Sequence, residues 1–180
     1  MNPAPNLVLV GPMGAGKTSI GKRLAARLRL SFVDCDHRLE EVTGAAVPLI
    51  FECEGEAGFR ARETALVAEL MRGEGQLVAT GGGAVLAEVN RDRLKARGFV
   101  VHLQVSVDQQ IERLARDRSR PLLDVGDKRA KLEAMAIERG PIYRDIADLA
   151  FDADGLAVAV AAERLGALLK QRWQRAAATP

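Results

Sequence analysis

The apolar residues of this chain fall into short continuous runs that alternate with longer stretches of helical spacing. The run NLVLV, at Asn6–Val10, is nearly all apolar and is followed by a glycine. This pattern is typical of a strand buried on both faces of a parallel sheet. Comparable runs predict further strands at 31–33, 76–80, 99–105 and 149–151.

The longer stretches predict helices between these strands. After Lys17, the residues Ile20, Leu24 and Leu28 recur every four positions, which places them on one helix face. Similar spacing predicts helices over 56–71, 88–97, 107–114, 131–138 and 156–173, and Gly140-Pro141 is expected to end or bend the helix at 131–138. Strands that alternate with helices predict an α/β fold, with a parallel sheet covered on both faces, in a single domain over 1–180.

Composition narrows the class of protein. Lys and Arg number 26 against 24 Asp and Glu, and this near balance argues against a nucleic-acid partner. The two cysteines are too few for a disulfide framework and suit a reducing compartment. Neither a signal segment nor an apolar run of about 20 residues is evident. We therefore expect a cytoplasmic protein without a membrane partner, and a monomer, because no long exposed apolar stripe is apparent.

The segment GPMGAGKT, at 11–18, matches the phosphate-binding loop G-x-x-x-x-G-K-[ST] at every specified position. Its context also matches, because a buried strand precedes it and an amphipathic helix follows. The glycines let backbone amides approach an anion closely, and the helix N-terminus adds to that anion site. Lys17 would reach the terminal phosphates and the Thr18 hydroxyl could ligate Mg²⁺. The sequence therefore predicts nucleotide binding.

Asp34 and Asp36 follow the second predicted strand, at the sheet edge where ligands bind in open parallel sheets. One carboxylate could support the metal and the other could orient or deprotonate an acceptor hydroxyl. The alternative is a helix cap, with Asp36 ahead of a helical segment.

Three further features suggest an acceptor site. The triplet Gly81-Gly82-Gly83 follows a buried strand and marks either a simple turn or the close approach of a ligand. Arg60 and Arg139 could together bind a carboxylate bidentately if they converge, although an isolated arginine is usually a solvated surface residue.

The charged segment at about 116–128 is expected to be a mobile lid, since it contains Pro121 and Gly126. Arg120 could fold over the phosphates and neutralise charge during transfer, as an arginine finger does. Its neighbours Arg113, Arg116 and Arg118 are interpreted as a solvated face.

Six segments, taken in order, resemble the shikimate kinase family over essentially the whole chain: GPMGAGKTSIG, FVDCD, GEAGFRARE, ATGGG, RPLL and RGPIY. The resemblance implies a P-loop kinase fold with a five-stranded parallel sheet flanked by helices, a mobile lid and a substrate-binding segment at about 34–62. It also implies transfer of the ATP γ-phosphate to the 3-hydroxyl of shikimate, with Mg²⁺, in the route to chorismate and aromatic amino acids.

The resemblance also implies roles for individual residues. The ATP phosphates would be held by Gly14, Ala15, Gly16, Lys17, Thr18 and Ser19, with Arg120 from the lid. Mg²⁺ would be held by Thr18 and, through water, by Asp34. Shikimate would be held by Asp36, Arg60, Gly81, Gly82, Gly83 and Arg139. Transfer would depend on Lys17, Asp36 as a possible base, and Arg120.

Two rival functions share the phosphate loop. A kinase for gluconate or for a nucleotide would have the same fold, and the arginine pair with the glycine triplet favours a compact carboxylated polyol instead. A regulatory module would hydrolyse ATP slowly and be indifferent to any acceptor. The segment Asp152-Ala153-Asp154-Gly155 lacks the basic residue that some family members place near adenine, so the adenine contacts stay unassigned.

Overall fold

The sheet at the centre of the molecule has five parallel strands, as the sequence predicts. The computed structural model describes residues 2–115 and 127–175. The sheet order is β3-β4-β2-β5-β6, so the strand that leads into the phosphate loop is central. The strands are β1 (Asn2–Ala4), β2 (Asn6–Val10), β3 (Ser31–Asp34), β4 (Gln76–Ala79), β5 (Gly98–Gln104), β6 (Leu149–Asp152) and β7 (Trp173–Arg175).

Seven helices in the described ranges cover this sheet, together with a short 3₁₀ helix at Ala84–Leu86. They are α1 (Lys17–Leu28), α2 (Cys35–Thr43), α3 (Val47–Leu70), α4 (Glu88–Arg97), α5 (Val107–Leu114), α6 (Lys128–Ile146) and α7 (Val158–Arg172). None of the helices that the structure describes combines the length and apolar character needed to cross a membrane.

The alternating side chains of the central strand belong to two separate apolar cores. Leu7 and Leu9 of β2 pack in a cluster with residues of α1 and α7, whereas Val8 and Val10 pack in a second cluster with residues of α2 and α3. All four side chains are fully buried. Successive side chains of a strand point to opposite faces, so burial of both faces explains why the run NLVLV is continuously apolar.

The region between β3 and β4 is more helical than the sequence predicts. Helix α2 was anticipated only as the helical segment of the helix-cap alternative, and α3 begins at Val47 rather than at residue 56. The start of α3 has no side-chain cap from Ala46; instead the Val47 amide donates to Glu40 Oε1 at 2.9 Å. Gly55 interrupts α3 with a backbone at φ 67° and ψ −178°, so the helix has a kink at this residue.

Helix α6 differs from its prediction at both ends. It begins at Lys128, three residues earlier than expected, and continues through Gly140-Pro141 to Ile146. Pro141 has no backbone N–H to donate to the preceding turn, which disfavours a helix interior. Tyr143 and Ile146 follow it and are buried in the second core, and we attribute the continuation of the helix to this packing.

Two short strands outside the main sheet join the beginning and the end of the described chain. β1 pairs in parallel with β7, with Asn2 opposite Trp173. Trp173 Nε1 donates to the Ala4 carbonyl at 2.9 Å, and its ring centroid lies 6.4 Å from that of Phe99. Trp173 is thus a packing residue.

Candidate active site

The phosphate loop between β2 and α1 has the backbone that its glycines predict. Gly11 has φ 143°, and a Cβ at this position would overlap the Leu103 carbonyl oxygen. Gly14 and Gly16 have φ 76° and 91°, and Gly16 is the N-cap of α1. Since L side chains rarely adopt these conformations, the glycines allow the loop to curl around the N-terminus of α1.

Side chains from α5 fix the outside of this loop. Gln110 Nε2 donates to the Met13 carbonyl at 2.8 Å. Arg113 donates from Nη1 to the Gly14 carbonyl at 2.9 Å and from Nη2 to the Ala153 carbonyl at 3.0 Å. The interpretation of Arg113 as part of a solvated face is therefore wrong, because its guanidinium connects the phosphate loop to the segment after β6.

The predicted nucleotide-binding side chains line one large cleft of about 1700 Å³. Lys17 Nζ donates to the carbonyl oxygens of Gly11 and Pro12 at 2.7 and 2.8 Å, so its charge lies over the loop. Thr18 and Ser19 are exposed at the cleft. The Ala15 side chain is instead fully buried in the first core, so only its backbone is available to a ligand.

The hydrogen bonds of Asp34 combine the two roles predicted for the aspartate pair, namely a helix cap and a carboxylate that faces the metal site. Its Oδ1 accepts hydrogen bonds from the amides of Asp36 and His37, so Asp34 rather than Asp36 caps a helix. Its Oδ2 accepts a hydrogen bond of 2.5 Å from Thr18 Oγ1. The helix cap orients the carboxylate so that its second oxygen faces the phosphate loop.

The oxygens of Thr18 and Asp34 suit a magnesium ion, which takes oxygen ligands and usually keeps water and substrate phosphates in its shell. Among the residues that the structure describes, no three His, Cys, Asp or Glu side chains cluster as a metal site. This donor set fits Mg²⁺ held with a nucleotide better than an ion held by the protein alone.

Gly81, the first residue of the glycine triplet, lies between two carboxylates. A Cβ on Gly81 would lie 2.7 Å from Glu63 Oε1 and 3.0 Å from Asp36 Oδ1. A glycine is therefore needed for both carboxylates to approach the backbone at this point. Asp36 and Glu63 both line the cleft, and the sequence analysis missed Glu63.

Glu63 orients the first of the predicted arginines. Arg60 Nη1 lies 2.7 Å from Glu63 Oε2, and the Glu63 side chain is only 1% exposed. Burial raises the pKa of Glu63, while the Arg60 guanidinium acts in the opposite direction. A Cβ on Gly83 would overlap Arg60 Nη2, so the glycine leaves room for the guanidinium.

Arg139, the second predicted arginine, reaches the same cleft from α6. Its side chain is 13% exposed, and its Nε lies 3.6 Å from Glu138 Oε2. Both Arg60 and Arg139 lower the pKa of Glu63, against the larger effect of burial, so both guanidiniums act on this carboxylate. The structure thus brings together two arginines that the sequence alone could not show to converge.

Aromatic rings also line this end of the cleft. Phe51 precedes the kink of α3 and Phe59 follows it, and their rings stack with centroids 4.4 Å apart. Neither residue was predicted from the sequence to belong to the site. Arg116, Arg118, Arg120 and positions 116–126 of the predicted lid lie outside the described residues; the remaining lid positions, 127–128, form the cap and first residue of α6.

This fold and site define a P-loop phosphotransferase. A model of the shikimate kinase family matches residues 13–170. The chain belongs to the shikimate kinase family, which confirms the resemblance recognised in its sequence.

Relatives support this assignment over the full length of the chain. The shikimate kinase of Stenotrophomonas maltophilia strain K279a is 53% identical over 180 residues, which cover 100% of both chains. That of Xanthomonas euvesicatoria pv. vesicatoria strain 85-10 is 52% identical over 180 residues, covering 100% of this chain and 99% of the relative.

Solved structures support the predicted fold. A shikimate kinase from Acinetobacter baumannii in complex with shikimate has a TM-score of 0.88 and 44% identity, covering 94% of this chain and 95% of that one. A gluconokinase from Sinorhizobium meliloti 1021 has a TM-score of 0.52 and 16% identity, covering 94% and 98% of the two chains. This second likeness concerns the fold alone.

Proposed function

We propose that the chain binds shikimate between Arg60 and Arg139 and transfers the γ-phosphate of ATP to its 3-hydroxyl, releasing ADP and 3-phosphoshikimate. The observation that carries this proposal is the presence of both arginines in the cleft that contains the phosphate loop. Two planar guanidiniums match a carboxylate bidentately, which a sugar without a carboxylate does not require. The Acinetobacter baumannii relative was solved with shikimate bound, and this supports the same acceptor here.

The phosphate loop would hold the ATP phosphates through the backbone amides of 14–19, at the N-terminus of α1. Lys17 would leave the loop carbonyls and follow the γ-phosphate, so that its charge balances that of the group in transfer. The cleft also offers apolar surface to a flat base, from Leu114, Leu156 and Val158. This is our proposal for the adenine contacts that the sequence analysis left unassigned.

Thr18 and Asp34 would hold Mg²⁺ together with the nucleotide. When bound, such an ion neutralises phosphate charge during transfer. The contribution of the chain is orientation: the hydrogen bonds from the amides of Asp36 and His37 fix Asp34 Oδ1, and this leaves Oδ2 directed towards Thr18.

Asp36 would be the base for the acceptor. As the 3-hydroxyl oxygen bonds to the γ-phosphorus and the bond to the ADP oxygen breaks, the hydroxyl proton would move to the Asp36 carboxylate. The glycine triplet would allow the sugar-like ring to lie against the backbone, with Gly81 leaving space for Asp36. Arg120 would neutralise charge on the transferring group from the lid.

Cysteine use and charge also bear on the state of the protein in the cell. We propose that it acts in the cytoplasm as a monomer, without a nucleic-acid or membrane partner. The two free cysteines, buried Cys35 and exposed Cys53, suit a reducing compartment, and the near balance of charge does not favour nucleic acid. Light scattering of the purified chain would test the oligomeric state.

The acceptor is tested by measuring ADP release with Mg²⁺ and ATP in the presence of shikimate, gluconate or nucleoside monophosphates. We expect stimulation by shikimate alone, and none in a Lys17→Met variant. Preference for another acceptor would leave the phosphate loop assigned and overturn the substrate. ATP turnover that ignores every acceptor would favour a regulatory module instead.

A further inference from the structure

Tyr143 lies between the glycine triplet, the phosphate loop and the turn of α6 that carries Arg139. It does not line the large cleft itself. It is 2% exposed and belongs to α6, one helical turn after Arg139. It borders a smaller cavity of about 200 Å³ together with Pro12, Met13, His102 and Arg139. Residues four apart on a helix lie on the same face, so Tyr143 and Arg139 are neighbours on one face of α6.

The hydroxyl of Tyr143 holds the glycine triplet. It donates a hydrogen bond of 2.5 Å to the Gly82 carbonyl oxygen. A Cβ on Gly82 would lie 3.6 Å from this hydroxyl, 3.6 Å from the Gly11 carbonyl oxygen and 3.7 Å from the Met13 amide nitrogen. Gly82 is thus packed between Tyr143 and the phosphate loop, and its position depends on both.

The tyrosine ring is itself held in place from the sheet and lies close to the arginine charges. Its centroid lies 5.1 Å from that of His102, which pairs in register with Val10 at the end of β2. Burial raises the pKa of Tyr143 to about 12, while the Arg139 guanidinium acts in the opposite direction. The phenol therefore stays protonated and donates at any physiological pH.

We propose that Tyr143 is a positioning residue that sets the width of the acceptor end of the cleft. By its hydrogen bond to Gly82 it fixes the glycine triplet against the turn of α6 that presents Arg139. Tyr143 acts through these two residues and not by touching the acceptor. This inference rests on the proposed function, because it assigns shikimate to the space between Arg139 and the triplet.

The test is Tyr143→Phe, which keeps the ring and removes the hydrogen bond. We expect the shikimate KM to rise about five- to tenfold, the size of one lost hydrogen bond, while the ATP KM stays within about twofold. The matched control is Trp173→Phe, which also removes a hydrogen bond from an aromatic side chain to a backbone carbonyl, far from the cleft. It should change Tm and neither KM.

A double-mutant cycle with Arg139→Lys separates positioning from general stability. Tyr143→Phe should raise the shikimate KM less when combined with Arg139→Lys than it does alone, because both changes act on one contact. Additive effects, an unchanged shikimate KM, or equal rises in both KM values would each overturn the proposal. A wild-type enzyme that does not phosphorylate shikimate would instead overturn the proposed function.

Tyr143 is the single tyrosine of the chain, which permits a test without mutation. Biosynthetic incorporation of 3-fluorotyrosine labels this site alone, and its ¹⁹F resonance should shift when shikimate is added. The shift should diminish in Arg139→Lys at saturating shikimate. A resonance that does not respond to saturating shikimate in an active enzyme would contradict the proposal.

Discussion

At the acceptor end of the cleft, several buried polar atoms have no hydrogen-bond partner within the described residues. They include Glu63 Oε1 and the Nε atoms of Arg60 and Arg139. Burying such atoms costs free energy, and native proteins rarely leave them unpaired away from functional sites. We interpret them as groups arranged for a polar ligand.

The role of Glu63 is tested by Glu63→Gln, which keeps the shape of the side chain and removes its charge. Arg60 would lose its buried ionic partner and the orientation that this partner imposes. We expect the shikimate KM to rise about tenfold, as charge-assisted hydrogen bonds of this kind are worth more than neutral ones. Steady-state kinetics with shikimate varied at saturating ATP provides the measurement.

The chain offers a matched control on the same arginine. Glu56 lies 3.5 Å from Arg60 Nη2, but its side chain is 68% exposed. Exposed ion pairs contribute little, so Glu56→Gln should leave the shikimate KM within about twofold. Equal effects of the two substitutions would show that burial does not distinguish these carboxylates, and would remove Glu63 from the acceptor site.

His102 makes the stability of the fold depend on pH. Burial, followed by the charges of Arg144 and Lys17, lowers the pKa of His102 from 6.5 to about 4. As the pH falls, His102 therefore takes up a proton in the unfolded chain at a higher pH than in the folded one. This stabilising contribution is lost as the pH falls from 6.5 towards about 4. The contribution is fully present above the upper value.

We expect His102→Gln to reduce this loss. Between pH 7 and pH 5 the free energy of unfolding of the wild type should fall by about 2 kcal/mol more than that of the variant. Urea unfolding at both pH values measures the difference. A variant with the same pH dependence as the wild type would show that another group governs it.

Among the elements, α3 is the one whose shape most affects the site. Its kink at Gly55 separates Val47 and Phe51 from Phe59 and Arg60, and both halves line the cleft. A residue with φ near 67° and ψ near 180° is essentially restricted to glycine. The backbone alone requires the glycine, because a Cβ here would meet nothing within 4 Å.

Gly55→Ala should therefore lower the free energy of unfolding by about 1–3 kcal/mol through backbone strain. Relief of that strain would change the angle between the two halves of α3, so the shikimate KM should also rise. Gly166→Ala in α7 is the control with the opposite sign: its Cβ would make an ordinary contact of 3.5 Å with Leu24. It should stabilise by about 0.5–1 kcal/mol. Thermal unfolding of both variants checks the pair.

Most elements were predicted where glycine, proline or polar residues separate one apolar pattern from the next. Strand β2 and helix α4 were predicted with their observed bounds. Helix α2 appeared only in the helix-cap alternative for Asp36, because it begins directly after β3, with no glycine or proline between them to mark a boundary.

Some parts of the site were also predictable from the sequence and others were not. The phosphate loop is local in sequence, so its motif predicted its shape. Arg113 and Tyr143 were missed as functional residues because their partners become neighbours only in the folded chain, and Glu63 was missed although its partner Arg60 is close in sequence. A signal was available for Glu63, since an acidic residue one helical turn from Arg60 suggests an ion pair.

At the scale of the whole molecule, the two ends of the described chain stabilise each other. β1 and β7 pair at one side of the molecule, and the Trp173 ring packs on the first core. The residues that line the cleft belong to neither β1 nor β7. The pairing of these two strands therefore stabilises the fold and makes no contact in the cleft.

A chain that stops after Arg172 should lose about 2 kcal/mol of stability, from the ring packing and the hydrogen bond of Trp173. Its KM values for ATP and shikimate should stay within about twofold of the full chain. The control stops after Arg175 and keeps β7. A large rise in either KM, at a temperature where the shortened chain is folded, would show that the pairing reaches the site.

The contacts of the phosphate loop bear on the order of events during synthesis on the ribosome. Gln110 and Arg113, which fix the loop from outside, lie 97 and 99 residues after the groups they bind. Both neighbours of β2 in the sheet, β4 and β5, also emerge later. A nascent chain thus exposes the nucleotide motif long before it can hold its shape, and we expect ATP to meet a competent site only after α5 has left the exit tunnel.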